Sequence, residues 1–470
     1  MAEILTPDLC VVGAGAGGVA AACAAALAGA EVVIVEPRQF DDSYSNAALF
    51  AHVLIESARK ATMLRSDPVS ATLEIGAAAD VAAVRMRAEK LAARLAHDTP
   101  ARLAALNIKM IKAAGRFTSE KRLEAGTAII EAKWFIIATG AVPPPQPAIK
   151  GIDLAPPLAP ADLAGLETWP KRLILAGDDG QALALAQAFR RFGTEVHLLS
   201  RGDLLPGEDR ELVAPIRDRL WSEGVSLHPH CAIMRLEPQG SSCMVEALEG
   251  GAPLRLEAPH LVMFAPPVAR TEGLGLAEAG VDYDKDAIKV RDDLRTSNPR
   301  IYAIGDVVGS TRSYAKARYQ AHQVIGQLFD SAARRPAPSP RLVFTEPELA
   351  IIGLTEAEAQ AAGHDIRVLR AGFRDNVAAH LAGESEGHVK IITDAQDRLL
   401  GAGIVGGQAR ELIGIFGFAL SLRLRAADLK GFIPASPSLT ETSRSAVLAS
   451  PLQFGKTLWR RIFPMPRRFK

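Results

Sequence analysis

Cysteine is scarce in this chain. Its 470 residues include four, Cys10, Cys23, Cys231 and Cys243, and no pair has the short spacing of a zinc knuckle or a CxxC redox motif. Four such thiols suit a reducing cytoplasm. Aromatic residues make up only 5% of the chain, too few for the stacking platforms that hold single-stranded nucleic acid. Net charge is almost absent: 54 Lys plus Arg stand against 53 Asp plus Glu, so no field draws in nucleic acid, and a small molecule or a protein is the expected partner. Nor is there a true membrane run. The uncharged stretch from Leu9 to Ala30 is long enough to imitate one, but glycines at 13, 15, 17, 18 and 29 interrupt it and no basic residue precedes it, so it reads as strand, turn and helix.

What is present is a chain long enough for roughly three structural units, able to bury a sizeable ligand. "DLCVVGAGAGGVAAACAAALAGAEVVIVE" reads as an apolar strand, a glycine turn, an Ala-rich helix and a second strand ending in Glu36, a βαβ unit for a dinucleotide. Gly13 allows the tight turn, Gly15 lets a pyrophosphate approach the backbone, and Gly18 permits close helix-to-strand packing. The helix N-terminus then faces the phosphates and Glu36 the ribose hydroxyls. "RLILAGDDGQALALAQAFRRFGTEVHLLSR" repeats the pattern, so two nucleotides are implied. Between the two, "KWFIIATGAVPPPQP" is a buried strand that breaks at Thr139 and Gly140 into a proline run, read as a domain crossing. "RTSNPRIYAIGDVVGS" carries another apolar strand to Gly305 and Asp306, and after the linker-like "SAARRPAPSP" the composition turns to strands such as "EGHVKIITD" and "LLGAGIVG" followed by amphipathic helices, a separate α+β domain.

Gly13 to Gly18 with Glu36, then "ATG" at 138–140, "IYAIGD" at 301–306 and "VFTEPELAIIGLTEAEA" from Val343 occur in the order and spacing of one family. The sequence resembles the pyridine nucleotide-disulfide oxidoreductases, in particular dihydrolipoamide dehydrogenase and the mercuric reductase-like flavoproteins. "YAKARYQAHQVIGQLF" is nearest to the latter branch. The resemblance implies an α/β fold of two Rossmann-like domains, of FAD and NAD(P) type, plus a C-terminal α+β dimerisation domain. It implies FAD held by Gly13, Gly15, Gly17, Gly18, Glu36, Pro37, Arg38, Ala138, Thr139, Gly140, Gly305 and Asp306, and a homodimer. The expected spans are 1–150 and 271–338 for the FAD domain, 151–270 for a degenerate NAD(P)-type domain, 339–450 for dimerisation, and 451–470 as a basic tail.

The chemistry of that family needs a cysteine pair on the helix after the first βαβ unit, because a dithiol couples a two-electron hydride to a disulfide. "EPRQFDDSYSNAALFAHVLIESARKA", residues 36–61, has none. Aligned from the left, the cysteine positions hold Tyr44 and Leu49; aligned from the right, Ser43 and Ala48. Asp41 and Asp42 replace two glycines beside the cofactor and repel phosphate. The base position in "ASPSLTE" holds Ser436, with its orienting Glu441 kept, and a serine hydroxyl is no base near neutral pH without help. The lysine near the flavin is His52 or Val53, depending on register, and its glutamate partner is Ala184. In the second glycine turn Asp179 stands at the middle glycine, where a side chain clashes with pyrophosphate and an acidic one repels it. "FAPPVAR" is a further departure beside the nicotinamide pocket, so hydride entry from NAD(P)H is not expected. Arg201 suits either a 2'-phosphate or a solvated surface.

His228 and His230 flank Pro229 and would point the same way on a strand; they read as a surface pair, and no metal site is expected. The tail "PLQFGKTLWRRIFPMPRRFK" has six basic residues, four aromatics and no acid, suited to an anionic membrane surface, a protein partner or packing across a dimer. The sequence therefore reads as a cytoplasmic FAD-binding homodimer, peripheral at a membrane if the tail docks there, that has lost disulfide reductase activity. Either it is a divergent oxidoreductase with another donor and a non-disulfide acceptor, its site lined by Tyr44, Asn46, His52 and Ser436, or it is a non-catalytic scaffold.

Overall fold

The computed structural model describes residues 3–37, 46–66, 80–309, 314–330 and 338–449. Arg38, Asp41, Asp42, Ser43, Tyr44 and the tail 451–470 lie outside the described residues, as do the side chains of Asn46 and Ala48. The chain forms two compact units, Met1–Pro206 with Arg217–Ser339, and Gly207–Ile216 with Pro340–Lys470.

The first unit is built on parallel sheets. Strands Leu9–Val12 (LCVV), Val32–Val35 (VVIV) and Trp134–Ile137 (WFII) are apolar almost throughout and buried nearly throughout, the composition of parallel strands covered on both faces. They form a five-stranded sheet in the order Ile301–Ala303, Trp134–Ile137, Leu9–Val12, Val32–Val35, Lys109–Ile111, every pairing parallel. On one face the helices Ala16–Leu27 and Tyr314–Phe329 pack on each other and on Val11, Ile34 and Ile136. On the other face Val12, Val35 and Ile137 pack against Phe117, Leu123 and Ile130 of the strands between residues 115 and 130. Helices Asn46–Ser66 and Val81–Ala105 pair with each other, the second started by Asp80, whose side chain accepts the Ala82 N–H.

The same unit holds a second parallel sheet, ordered Ser226–His228, Glu195–Leu199, Arg172–Ala176, His260–Met263. Helix Gly180–Arg191 packs against it, and a three-stranded antiparallel meander, Cys231–Gln239, Ser242–Glu249 and Ala252–Ala258, shares its other core. Between the two sheets Gly140, at φ +73°, turns the chain, and Ala141–Val142 pairs antiparallel with Val268–Ala269.

The second unit is an α+β layer: a five-stranded antiparallel sheet under helices Ala409–Ser421 and Thr440–Leu448. Gly207–Ile216, inside the span 151–270 read from the sequence as one nucleotide domain, clusters with this unit instead. Leu212 of this segment is buried against Gly403 of that unit, and ion pairs add to it. Lys390 on strand His388–Asp394 is 2% exposed, and its ammonium lies 2.9 Å from Asp209, 2.5 Å from Glu211 and 2.6 Å from Glu356. A buried ammonium is tolerated only when paired, and two of its three partners come from that short segment. Arg341 adds a bidentate pair with Glu208.

Candidate functional site

The carboxyl ends of strands Leu9–Val12, Val32–Val35, Trp134–Ile137 and Ile301–Ala303 point to one edge of the first sheet, where open α/β sheets receive ligands. Gly13 is there at φ +109°, and an added Cβ would lie 2.4 Å from the Ala138 carbonyl oxygen. At Gly18 an added Cβ would come within 2.0 Å of the Gly13 carbonyl, so packing of helix on strand alone demands glycine. Gly17 faces the Ala317 carbonyl and the Ile304 side chain, both 3.2 Å from an added Cβ. Gly15 differs. It precedes helix Ala16–Leu27 at φ −74° and ψ −175°, a conformation open to any residue, and among the described residues nothing lies within 4 Å of an added Cβ. Gly15 supplies no side-chain cap to this helix and no acid occupies its first turn, so the positive end of its dipole suits an anion.

Glu36 closes the neighbouring strand. It is 6% exposed, and Oε2 accepts the Ala14 N–H at 2.9 Å; Pro37 follows it, exposed. The other sequence-selected residues line the same edge. Ala138 donates to the Val12 carbonyl at 2.8 Å. The Thr139 hydroxyl donates to the Arg270 carbonyl at 2.8 Å, and the Arg270 N–H donates to Gly140 at 3.0 Å. Gly305, at φ +78°, donates its N–H to the Gln320 side chain at 2.7 Å and opens a short helical turn with Asp306 in it.

The second glycine turn is organised differently. Gly177 is forced by contact with Phe264, whose Cβ would lie 2.7 Å from an added Cβ. Asp179 is itself the N-cap of helix Gly180–Arg191, accepting the Ala182 N–H at 2.8 Å and also that of Gln181. Burial raises its carboxyl above the usual aspartate value, and the neighbouring Asp178 adds to this. The anion position at this helix end is thus filled by the chain's own carboxylate. Arg201, after the following strand, is exposed.

Comparison with known proteins decides the family. The model for pyridine nucleotide-disulphide oxidoreductases matches residues 7–321, and that for their dimerisation domain matches residues 339–447. The chain belongs to the pyridine nucleotide-disulphide oxidoreductases. It is 30% identical over 443 residues to dihydrolipoyl dehydrogenase of Thermus scotoductus, covering 93% of this chain and 95% of that one. It is 27% identical over 460 residues to mercuric reductase of Lysinibacillus sphaericus, covering 96% and 83% respectively. Among solved structures it is similar to the HOCl-induced flavoprotein disulfide reductase RclA of Escherichia coli, with a TM-score of 0.80 at 23% identity over 95% of this chain and 99% of that one.

The structure places the remaining sequence-selected residues as follows. Leu49 is 4% exposed in helix Asn46–Ser66, a core residue. His52 faces outward on the same helix and Val53 is buried. This helix packs against Gly180–Arg191, where Ala184 is 2% exposed. Ser436 and Glu441 are together in the second unit: Glu441 accepts the Ser438 N–H at 3.0 Å and the Ser436 hydroxyl, which together hold its carboxyl below the usual range.

The four thiols are unpaired, and none lies in helix Asn46–Ser66. Cys10 is in the first strand, Cys23 in the first helix, Cys231 and Cys243 in the meander. Burial pushes all four above the ordinary thiol value, away from the thiolate that attacks disulfides.

The reading of His228 and His230 as a facing pair is corrected. His228 ends its strand, while His230 sits at φ +53° and lies 3.7 Å from Asp203. The partner of His228 is His197, one strand away, and no spacing in the sequence links the two.

Proposed function

We propose that this chain is an FAD-binding homodimeric oxidoreductase that passes electrons to a non-disulfide acceptor and takes them from a donor other than NAD(P)H. The observation that carries the reading is the contrast between its two glycine turns. At Gly15 a helix N-terminus without a side-chain cap has open space in front of it and Glu36 beside it, which suits a dinucleotide pyrophosphate and ribose. At Asp179 the equivalent helix end is capped from within, and a carboxylate there repels the phosphates of a nicotinamide dinucleotide.

Gly13, Gly15, Gly17, Gly18, Glu36, Pro37, Ala138, Thr139, Gly140, Gly305 and Asp306 are the residues that would hold FAD. Bound there, the flavin supplies a two-electron carrier. The protein's own part is to orient it, and thiol relay is disfavoured because every cysteine is accounted for elsewhere with its thiol protonated. Ser436, hydrogen-bonded to Glu441, offers no base for a thiol substrate. The homodimer is supported by the dimerisation-domain match and by exposed apolar side chains of the second unit, Val377, Leu381, Phe418 and Ile433, each more than 60% exposed in the single chain.

A reducing compartment fits unpaired thiols. Among the described residues no helix is long and apolar enough to cross a membrane. The tail 451–470 is proposed as the contact to an anionic surface or a protein partner. The alternative, a scaffold with idle FAD, draws on the lost thiol and base positions, but an idle site gives no reason to leave Gly15 open.

The test is spectroscopic. The purified protein should be yellow, keep its colour when NADH or NADPH is added without oxygen, and bleach with dithionite. Rapid bleaching by either nicotinamide would refute the role given to Asp179. Failure to take up added FAD would refute the cofactor site.

A further inference from the structure

His197 lies in strand Glu195–Leu199 and His228 ends strand Ser226–His228, diagonal neighbours on one face of the second parallel sheet. Nδ1 of His197 is 3.1 Å from Nε2 of His228. The outer nitrogens are engaged as well: His197 Nε2 with Glu195 at 3.2 Å, and His228 Nδ1 with Glu249 of strand Ser242–Glu249 at 3.1 Å. Both side chains are largely buried, 12% and 15% exposed. The four groups form one line, carboxylate, imidazole, imidazole, carboxylate.

Proton counting decides what such a line contains. An ionised carboxylate only accepts, so each needs an N–H from its ring. Glu195 stays ionised because Arg172 bonds its second oxygen at 2.9 Å and holds its carboxyl low. Two neutral rings own two protons, and giving both to the carboxylates leaves lone pair against lone pair at the centre. A third proton turns that contact into a charge-assisted hydrogen bond. A fourth sets N–H against N–H and two positive charges side by side. Only the three-proton state satisfies every position.

The geometry also argues against a chelated metal ion. Ring centres 5.4 Å apart with nitrogens 3.1 Å apart leave about one ring radius on each side, so the rings meet head-on, nitrogen to nitrogen. Lone pairs that grip one ion converge off that line.

The line joins three chain segments and reaches the strand ends. The His228 carbonyl accepts the Ser200 N–H at 3.0 Å, the Ser200 carbonyl accepts the Cys231 N–H at 2.8 Å, and the Ser200 hydroxyl donates to Gly202. We propose that His197 and His228 share one proton and act as a pH-sensitive clasp on the Ser200–Gly202 turn, closed while the pair carries a single positive charge and opened in acid by the second. The charged and titratable groups around the pair are Glu195, Arg172 and Glu249, with the His230 and Asp203 pair next to it. Burial most of all, with the charges of His228 and Arg172, lowers His197 below the ordinary histidine value against the hydrogen bond and charge of Glu195, and the charge of His228 is the part that sets a second proton against the first. The clasp is independent of the flavin reading.

The test is nitrogen-detected NMR of histidine-labelled protein across pH, with amide exchange of Ser200 and Cys231. Expected are two well-separated coupled titration steps, three protonated ring nitrogens of four between them, and exchange at both amides slower by roughly tenfold in that window than in acid. His197→Gln and His228→Gln should each flatten this pH dependence. If either variant fails to fold, the wild-type titration decides alone. Independent single steps for the two rings, exchange that ignores their titration, or tight binding of added Zn²⁺ by both rings would overturn the clasp.

Discussion

Replacing Gly15 by alanine separates cofactor binding from folding. Among the described residues the new methyl meets nothing within 4 Å, and φ −74°, ψ −175° suits alanine. The stiffer unfolded chain favours the variant by about 0.4–1 kcal/mol, while the poorer N-cap opposes it by a comparable amount. Stability should therefore stay within about 0.5 kcal/mol of wild type. With FAD bound, the methyl stands where pyrophosphate approaches the helix N–H groups. Losing one charge-assisted hydrogen bond there costs about 1.5–3 kcal/mol, roughly a 10- to 150-fold weaker Kd. Titrating flavin-free protein with FAD by fluorescence, beside thermal unfolding of the same sample, reads both quantities. Gly18→Ala is the contrast: its Cβ would sit 2.0 Å from the Gly13 carbonyl, so it should lose the fold itself. A Gly15→Ala variant that binds FAD as tightly as wild type, or that unfolds without flavin present, would refute the reasoning.

Asp179→Gly should raise affinity for NADH or NADPH at least tenfold at the cost of only a few tenths of a kcal/mol of helix capping, checked by nucleotide titration and thermal melts. Burial raises the Asp179 carboxyl, so its stabilising share is present below the ordinary aspartate pKa and lost as pH rises through the raised value. Asp179→Asn, neutral and still a cap, should accordingly melt above wild type at pH 7 and level with it in acid. Lys390→Met leaves Asp209, Glu211 and Glu356 facing one another, and should cost about 3–5 kcal/mol in denaturant unfolding, with part recovered as pH falls. Because burial raises all four thiols, the native protein should react with iodoacetamide at pH 7 more slowly than free cysteine does. A rapidly labelled thiol would expose an overlooked nucleophile.

The parts of the fold legible in the sequence are those whose cause is local. "LCVV" and "VVIV" are apolar along their whole length because both faces are covered, and Gly13 and Gly18 sit between them because carbonyls crowd both positions. The sequence marked Asp179 as a side chain in place of a glycine, and the fold adds that this side chain caps the helix it starts. What spacing does not carry is long-range pairing. Gly207–Ile216 looks like part of the second nucleotide domain until Lys390, more than 170 residues later, draws Asp209 and Glu211 to itself; a lysine inside the apolar run "HVKIITD" was the only signal. His228 seemed paired with His230 two residues away, and its true partner lies one strand across, where parallel register brings His197 beside it. Of the two register alternatives His52 and Val53, the fold buries Val53 and exposes His52.

Counting electrons tests the central claim most directly. Anaerobic titration of the purified protein with dithionite should end after two electrons per FAD, the end point of the proposed flavin without a disulfide beside it. An end point of four electrons per FAD, with a thiolate-to-flavin charge-transfer band growing midway, would mean that a disulfide lies against the ring and would contradict it.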